Sequence, residues 1–249
     1  MSMIDGSLTR NDELRAELRE ECLRECAGAA VSIRQAMQAV ARQPSDIGKL
    51  LELYTQMHSL AGNGSVTRLL TIARVVGAFD ALLKQLVDKP VNMTQSVRRT
   101  MAQTVDLLCA LFEGDGREVD LITARILAVD DQQIALRTVM HALEKANLKS
   151  QALSDPSAGF SIAQEWLFDL IVLDHSMPDM TGTELCAKLR ALPKYKKTPI
   201  LFVTSASGFE NRADICRNGG TDVIAKPFLA TELGLKALTL IIKSKTTAS

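Results

Sequence analysis

The sequence predicts two domains of different class. An all-α four-helix bundle covers residues 1–115, and an α/β doubly wound, five-stranded parallel sheet covers 124–249, with a linker at 116–123. Three observations predict this. Residues 10–113 carry long helical patterns and no convincing strand. Residues 124–245 alternate short β-branched runs with helical stretches, five times over. Between them, EGDGREVD at Glu113–Asp120 concentrates glycine and charge, as a connecting segment does.

In the first half, one helix is expected from Asn11 to Arg42, with a break near Gly28 and a stop before Pro44. A second starts after Ser45, a side chain suited to cap it, and runs to Gly62. A third spans Val66–Val87 and ends before Pro90; a fourth spans Thr94–Phe112 and ends at Gly114. Short connections between helices of similar length favour antiparallel neighbours.

In the second half the strands are Ile126–Val129, Ser150–Leu153, Leu170–Leu173, Ile200–Val203 and Val223–Ala225. The helices are Gln133–Lys145, Ser157–Glu165, Thr183–Leu192, Asn211–Arg217 and Thr231–Lys243. Strands separated by helices need crossover connections, hence a parallel sheet. The third and fourth strands are apolar throughout, as expected when helices cover both faces. Ligands bind such sheets at the carboxyl ends of the strands.

Of the 249 residues, 47% are hydrophobic and 23% charged, with 29 basic against 29 acidic side chains. That excludes general disorder, and the zero net charge argues against a broad nucleic-acid-binding surface. No apolar run approaches the roughly 20 residues that span a bilayer, so no membrane segment is expected. The polar, early-acidic start MSMIDGSLTRNDELRAELREE is unlike a secretory signal. Five cysteines, an odd count without C-x-x-C spacing, read as reduced thiols of a cytoplasmic protein. Cys22 and Cys26 can share a helix face, where packing explains them better than a metal.

Four strand ends carry suggestive chemistry. The first ends in Asp130-Asp131, the third in Asp174 within LDHSMPDMTG, the fourth in Thr204-Ser205 and the fifth in Lys226-Pro227-Phe228. In a parallel sheet these converge on one rim. Three carboxylates in a small space repel unless a cation joins them, and such oxygen ligands suit Mg²⁺ or Mn²⁺. A lysine and a hydroxyl beside them suit phosphoryl oxygens.

On these motifs, residues 124–245 resemble the receiver domain of bacterial two-component response regulators, with its flavodoxin-like fold. The resemblance implies Asp174 as the phosphoacceptor and Mg²⁺ as the cofactor. It implies Asp130, Asp131, Asp174 and the backbone carbonyl of Ser176 as metal ligands. Thr204 is similar to the family's switch hydroxyl and Lys226 to its phosphate-pairing lysine, with a cis bond before Pro227. Val223 stands where many receivers carry an aromatic side chain that rotates inward, so switching by that rotation is not expected here. His175 is expected to face solvent in its loop, and His141 to be structural within its helix.

In the helical half, Leu50, Leu53, Met57 and Leu60 fall at core spacing, and His58 sits about 100° round from Met57, at the border of the buried stripe. Gly62 lies one turn on along the same side and leaves room for another protein to approach the imidazole. The segment LYTQMHSLAGNGS and the following FDALLKQL resemble a histidine phosphotransfer (HPt) domain, whose exposed histidine carries phosphate between receiver aspartates. Ala61 stands where that family often has a lysine.

Together these resemblances imply a phosphorelay protein in which Asp174 accepts phosphate and His58 transfers it. It is expected to be a phosphoacceptor and carrier, not an enzyme with an ATP-binding kinase domain. Its partners are expected to be a sensor histidine kinase or another relay protein and a downstream protein, with a homodimer also open. Lys243–Ser249 reads as a short polar tail, so output is expected through protein contact. The alternative is a receiver-controlled adaptor whose helical domain docks or dimerises with His58 inert. A metal-dependent phosphohydrolase is less expected, because Ser176 stands where such enzymes commonly place a second acid.

Overall fold

The computed structural model describes residues 3–63, 66, 69–114, 118–205 and 212–247, with side chains from residue 17 onward apart from 18, 212 and 214. The predicted start at Asn211 and the middle of the junction lie outside that set, while the helix expected from Val66 begins at Leu70. Contacts divide the chain into two units, residues 1–94 with 101–118, and residues 95–100 with 119–249. Among the described residues, no helix is long and apolar enough to cross a membrane.

The helical region holds α1 (Met3–Arg42), α2 (Ile47–Gly62), α3 (Leu70–Asp88) and α4 (Gln95–Glu113). α1 runs through Gly28 without the expected break; a Cβ there would meet nothing within 4 Å, so the glycine lies on an open helix surface. The cap of α2 is Asp46 and not Ser45. Its carboxylate accepts from Gly48 N at 2.9 Å and Lys49 N at 3.3 Å, and the negative charge suits the positive helix end. α2 packs against α1 and α3. Leu50, Leu53, Met57 and Leu60 are buried as the 3.6-residue period requires, and α3 buries Val75, Phe79, Leu82 and Leu86.

The second unit alternates β1 (Arg125–Val129), α5 (Gln133–Lys145), β2 (Lys149–Leu153), α6 (Pro156–Glu165), β3 (Leu170–Asp174), α7 (Gly182–Ala191), β4 (Ile200–Thr204), α8 (Arg212–Arg217), β5 (Asp222–Ala225) and α9 (Ala230–Thr247). All five strands are parallel, in the order β2-β1-β3-β4-β5. α5 packs with α9, and α6 with α7, so each sheet face is covered by helices. β3 and β4 are buried at every position, as their continuous apolar sequence predicts. Leu127, Ile171, Leu173 and Phe202 alternate onto one core with Leu185, Leu189 and Tyr195. Chain order reverses at β1, so β1 and β3 lie side by side and open a crevice at their carboxyl ends.

A buried charge group anchors the start of β5. Asp222 accepts from Lys236 Nζ of α9 at 2.9 Å and from Arg99 Nε at 3.1 Å. Burial pushes the Asp222 carboxyl up, but Lys236 and Arg99 outweigh it and hold the carboxyl below its usual range. Burial lowers Lys236 and raises Glu232, which accepts from Ser96 and Thr100 hydroxyls. β5 then runs only four residues before Lys226, so this anchor sets where that lysine emerges.

The loop after β3 closes on Gly182, whose N–H donates to His175 O at 3.0 Å. A Cβ on Gly182 would stand 2.0 Å from the Asp174 carbonyl oxygen. Backbone cannot yield as a flexible side chain does. Gly182→Ala is therefore expected to destabilise the second unit by about 2–3 kcal/mol, read from the urea unfolding midpoint. A loss under about 0.5 kcal/mol would show that the loop accommodates the methyl group freely.

Candidate functional site at the carboxyl rim of the sheet

Parallel pairing brings the β1 and β3 ends together in register, with Val129 beside Leu173. Asp130 follows β1 and Asp174 is the last residue of β3, so both carboxylates emerge at the same level. Both are almost fully buried. Asp130 Oδ1 accepts from Gln132 N at 2.9 Å and Asp174 Oδ2 from Ser176 N at 2.7 Å. These bonds fix each carboxylate by the backbone of its own loop.

Lys226 lies between them. Its Nζ donates to Asp174 Oδ1 at 2.6 Å and to Asp130 Oδ2 at 2.7 Å. Burial alone would lower this ammonium, but the hydrogen bonds and charges of the two carboxylates raise it above its ordinary value. Lys226 N also donates to Thr204 O at 2.6 Å, tying the end of β4 to the end of β5. Thr204 itself is buried at that rim. The Lys226–Pro227 bond is cis, as the resemblance implies.

Asp131 completes the cluster. Ligand atoms of Asp130, Asp131 and Asp174 all lie within 4.8 Å of one another. Asp131 Oδ1 is shielded from solvent and accepts no hydrogen bond. A buried carboxylate oxygen without a partner, in a trio offset by one lysine, fits a hard divalent cation. The residues expected as a set from the sequence, Asp130, Asp131, Asp174, Thr204 and Lys226, thus share one rim. Ser176 is exposed in the loop beside Asp174.

Other histidines differ from expectation in part. His175 is half-buried, not solvent-facing, its ring 6.3 Å from that of Phe202 and Nδ1 3.3 Å from Ser176 Oγ. The loop turns back at Gly182 and carries it inward. His141 lies on the exposed side of α5. Val223 is fully buried, as an aliphatic residue of a central core should be.

His58 belongs to the first unit. Its side chain is 65% exposed, while Asp80 of α3 lies behind it with Oδ1 3.2 Å from Nδ1. The Tyr54 ring is 5.4 Å from the imidazole, one turn earlier on α2. A Cβ on Gly62 would meet nothing within 4 Å, so the approach on that side is open. Sequence reading did not single out Asp80. Its signal is one acid between Phe79 and the apolar run Ala81, Leu82 and Leu83.

Residues 126–238 match the family model of the response regulator receiver domain. The chain therefore carries a receiver domain of a two-component system. Curated relatives match over the same part. Protein RcaC of Microchaete diplosiphon is 32% identical over 117 residues, covering 47% of this chain and 18% of that protein. Transcriptional regulatory protein SrrA of Staphylococcus aureus is 30% identical over 122 residues, 49% of each. The chain thus spans less than half the length of these relatives. Among solved structures, chemotaxis response regulator CheY4 of Vibrio cholerae is 35% identical over 47% of this chain and 98% of that one, with a TM-score of 0.44.

The raised Lys226 gives the site a pH signature. An ammonium held above its ordinary 10.5 contributes stability that is complete below pH 10.5 and lost as pH rises through the folded-state value. The stability advantage of wild type over Lys226→Met is therefore expected to stay level from neutral pH up to 10.5 and shrink above it. Urea midpoints of both proteins on either side of that pH measure it. An advantage that widens in alkali would contradict the assignment.

Proposed function

We propose that the chain is a phosphorelay protein in which Asp174 accepts a phosphoryl group and His58 exchanges one with a receiver aspartate. The observation that carries this reading is Lys226 bridging Asp174 and Asp130 while Asp131 keeps an unpartnered buried oxygen beside them. A carboxylate oxygen of Asp174 attacks phosphorus in line as the donor's bond to phosphorus breaks. Lys226 then turns from the free carboxylate to the phosphoryl oxygens, and Thr204 lies at the same rim to donate its hydroxyl. Asp130, Asp131, Asp174 and the carbonyl of Ser176 would hold Mg²⁺. When bound, this ion neutralises charge on the transferring group.

The helical half supplies the second nucleophile. With a proton on Nδ1 held by Asp80, the lone pair of Nε2 is left for phosphorus. The open surface at Gly62 lets a partner's active site reach it. Asp80 is then a positioning residue. The four helices serve as an HPt-like bundle, and the phosphoryl group comes from a sensor kinase or relay partner, with nucleotide not used directly. Five free cysteines, four of them buried, support a reducing, cytoplasmic setting. Output runs through protein contact, as phosphorylation biases a conformational equilibrium that partners read.

Incubation with acetyl phosphate and magnesium is expected to add one phosphoryl group at residue 174, seen by intact-protein mass spectrometry. Asp174→Asn, Asp131→Asn or omission of magnesium is expected to abolish it. An unmodified wild-type chain would sink the acceptor role.

For the relay, wild type and His58→Gln are compared in phosphate transfer to and from a cognate receiver. His58→Gln is expected to lose transfer altogether, and equal transfer would leave the helical half as a docking module. Asp80→Ala is expected to slow transfer about tenfold, the worth of one orienting hydrogen bond. Asp80→Asn, which keeps an acceptor oxygen, should recover part of that rate.

A further inference from the structure

The amino end of the sheet, opposite the carboxylate rim, carries a cleft of about 640 Å³. It is formed by the starts of β1 and β2 with Trp166 and Phe168 from the connection into β3. Its volume falls in the range of small-molecule sites, about 300–1,000 Å³. Apolar surface stands open around it. Ile122 is 81% exposed, Leu167 61% and Trp166 49%. Exposed side chains of this size gathered at one cleft mark a place that contacts something else.

The charges at the cleft point to the ligand's sign. Arg125 and Lys149 are register partners on β1 and β2, so two cations stand side by side at one sheet end. Like charges directly paired across strands repel. Among the described residues, no carboxylate pairs with either side chain. The nearby acids are engaged elsewhere. Asp169 accepts the Arg125 backbone amide at 2.8 Å and pairs with Lys245 at 3.0 Å. Asp120 caps the amides of Ile122 and Thr123 at 2.9 and 3.2 Å.

The Arg125 guanidinium lies 4.9 Å from the centre of the Trp166 ring. Contact with the ring uses the face of a guanidinium and leaves its in-plane N–H donors for a bidentate acid group. We propose that this cleft binds a small organic anion with a planar apolar body. Its carboxylate, sulfonate or phosphate lies between Arg125 and Lys149, and its flat part lies against Trp166 and Phe168. Nothing in this inference depends on Asp174 or His58.

Trp166 is the single tryptophan of the chain, so its emission reports on the cleft directly. The test is titration of the full-length protein with 8-anilinonaphthalene-1-sulfonate, following energy transfer from Trp166, beside its uncharged parent 1-anilinonaphthalene. Saturable transfer to the sulfonate is expected, with Arg125→Gln and Lys149→Gln each binding about tenfold more weakly, the loss of one charge-assisted contact. Both positions are exposed, and unchanged thermal melts verify that the variants fold. The uncharged probe should bind more weakly than the sulfonate and respond to neither substitution. Absence of saturable transfer, equal affinity in wild type and both variants, or equal binding of charged and uncharged probes would each overturn the proposal.

Discussion

Three clustered carboxylates, two of them bridged by one lysine, form the constraint on which the carboxyl rim of the second unit depends. At separations under 5 Å in a partly desolvated rim, such charges repel by several kcal/mol. Lys226 offsets part of that repulsion, and only because β5 delivers it to the midpoint between Asp130 and Asp174. The short strand is held at its other end by Asp222 against Lys236, a fully buried ion pair. Removing that lysine from Asp222 would leave a buried charge short of a partner at the base of the strand that aims Lys226. Two ion pairs at opposite ends of a four-residue strand therefore serve one geometry.

The strands were legible because their signal is local. Apolar runs bounded by turn residues placed β1 to β5 within one residue of their observed bounds, and strand parallelism then made the convergence of their ends a matter of topology. Helix limits were less legible. A helical glycine reads as a break, but nothing at Gly28 makes the chain turn, and the placement of the cap at Asp46, one residue past the expected Ser45, is decided by backbone geometry that composition does not carry. What escaped altogether were pairs far apart in sequence. Asp80 behind His58, Asp222 with Lys236, and Arg125 on Trp166 each join residues whose own surroundings read as ordinary helix or loop. A buried lysine in particular is spelled like an exposed one.

The two candidate phosphate carriers differ in what surrounds them. Asp174 is 6% exposed among other acids, with Lys226 and the Ser176 amide donating to it. His58 stands mostly in solvent with one carboxylate behind it. An aspartate in such a rim is a poor acceptor until its neighbours neutralise the incoming charge, whereas an exposed imidazole needs only orientation. The receiver rim concentrates the charged groups, and the helical side holds one exposed imidazole against one carboxylate.

Val223 bears on how a modified Asp174 is sensed. Phe202 and Val223 are register partners on β4 and β5, and both are fully buried. A β-branched side chain in a packed core holds one rotamer and has no long lever to swing outward. Movement of Thr204 toward a phosphoryl group thus cannot be passed to the surface by a ring at that position. The remaining connection at this point is main chain, the Lys226 N–H on the Thr204 carbonyl. Thr204 is thereby tied to the residue that bridges Asp130 and Asp174. The ends of β4 and β5 are thus joined by main chain at the rim that holds Asp130 and Asp174.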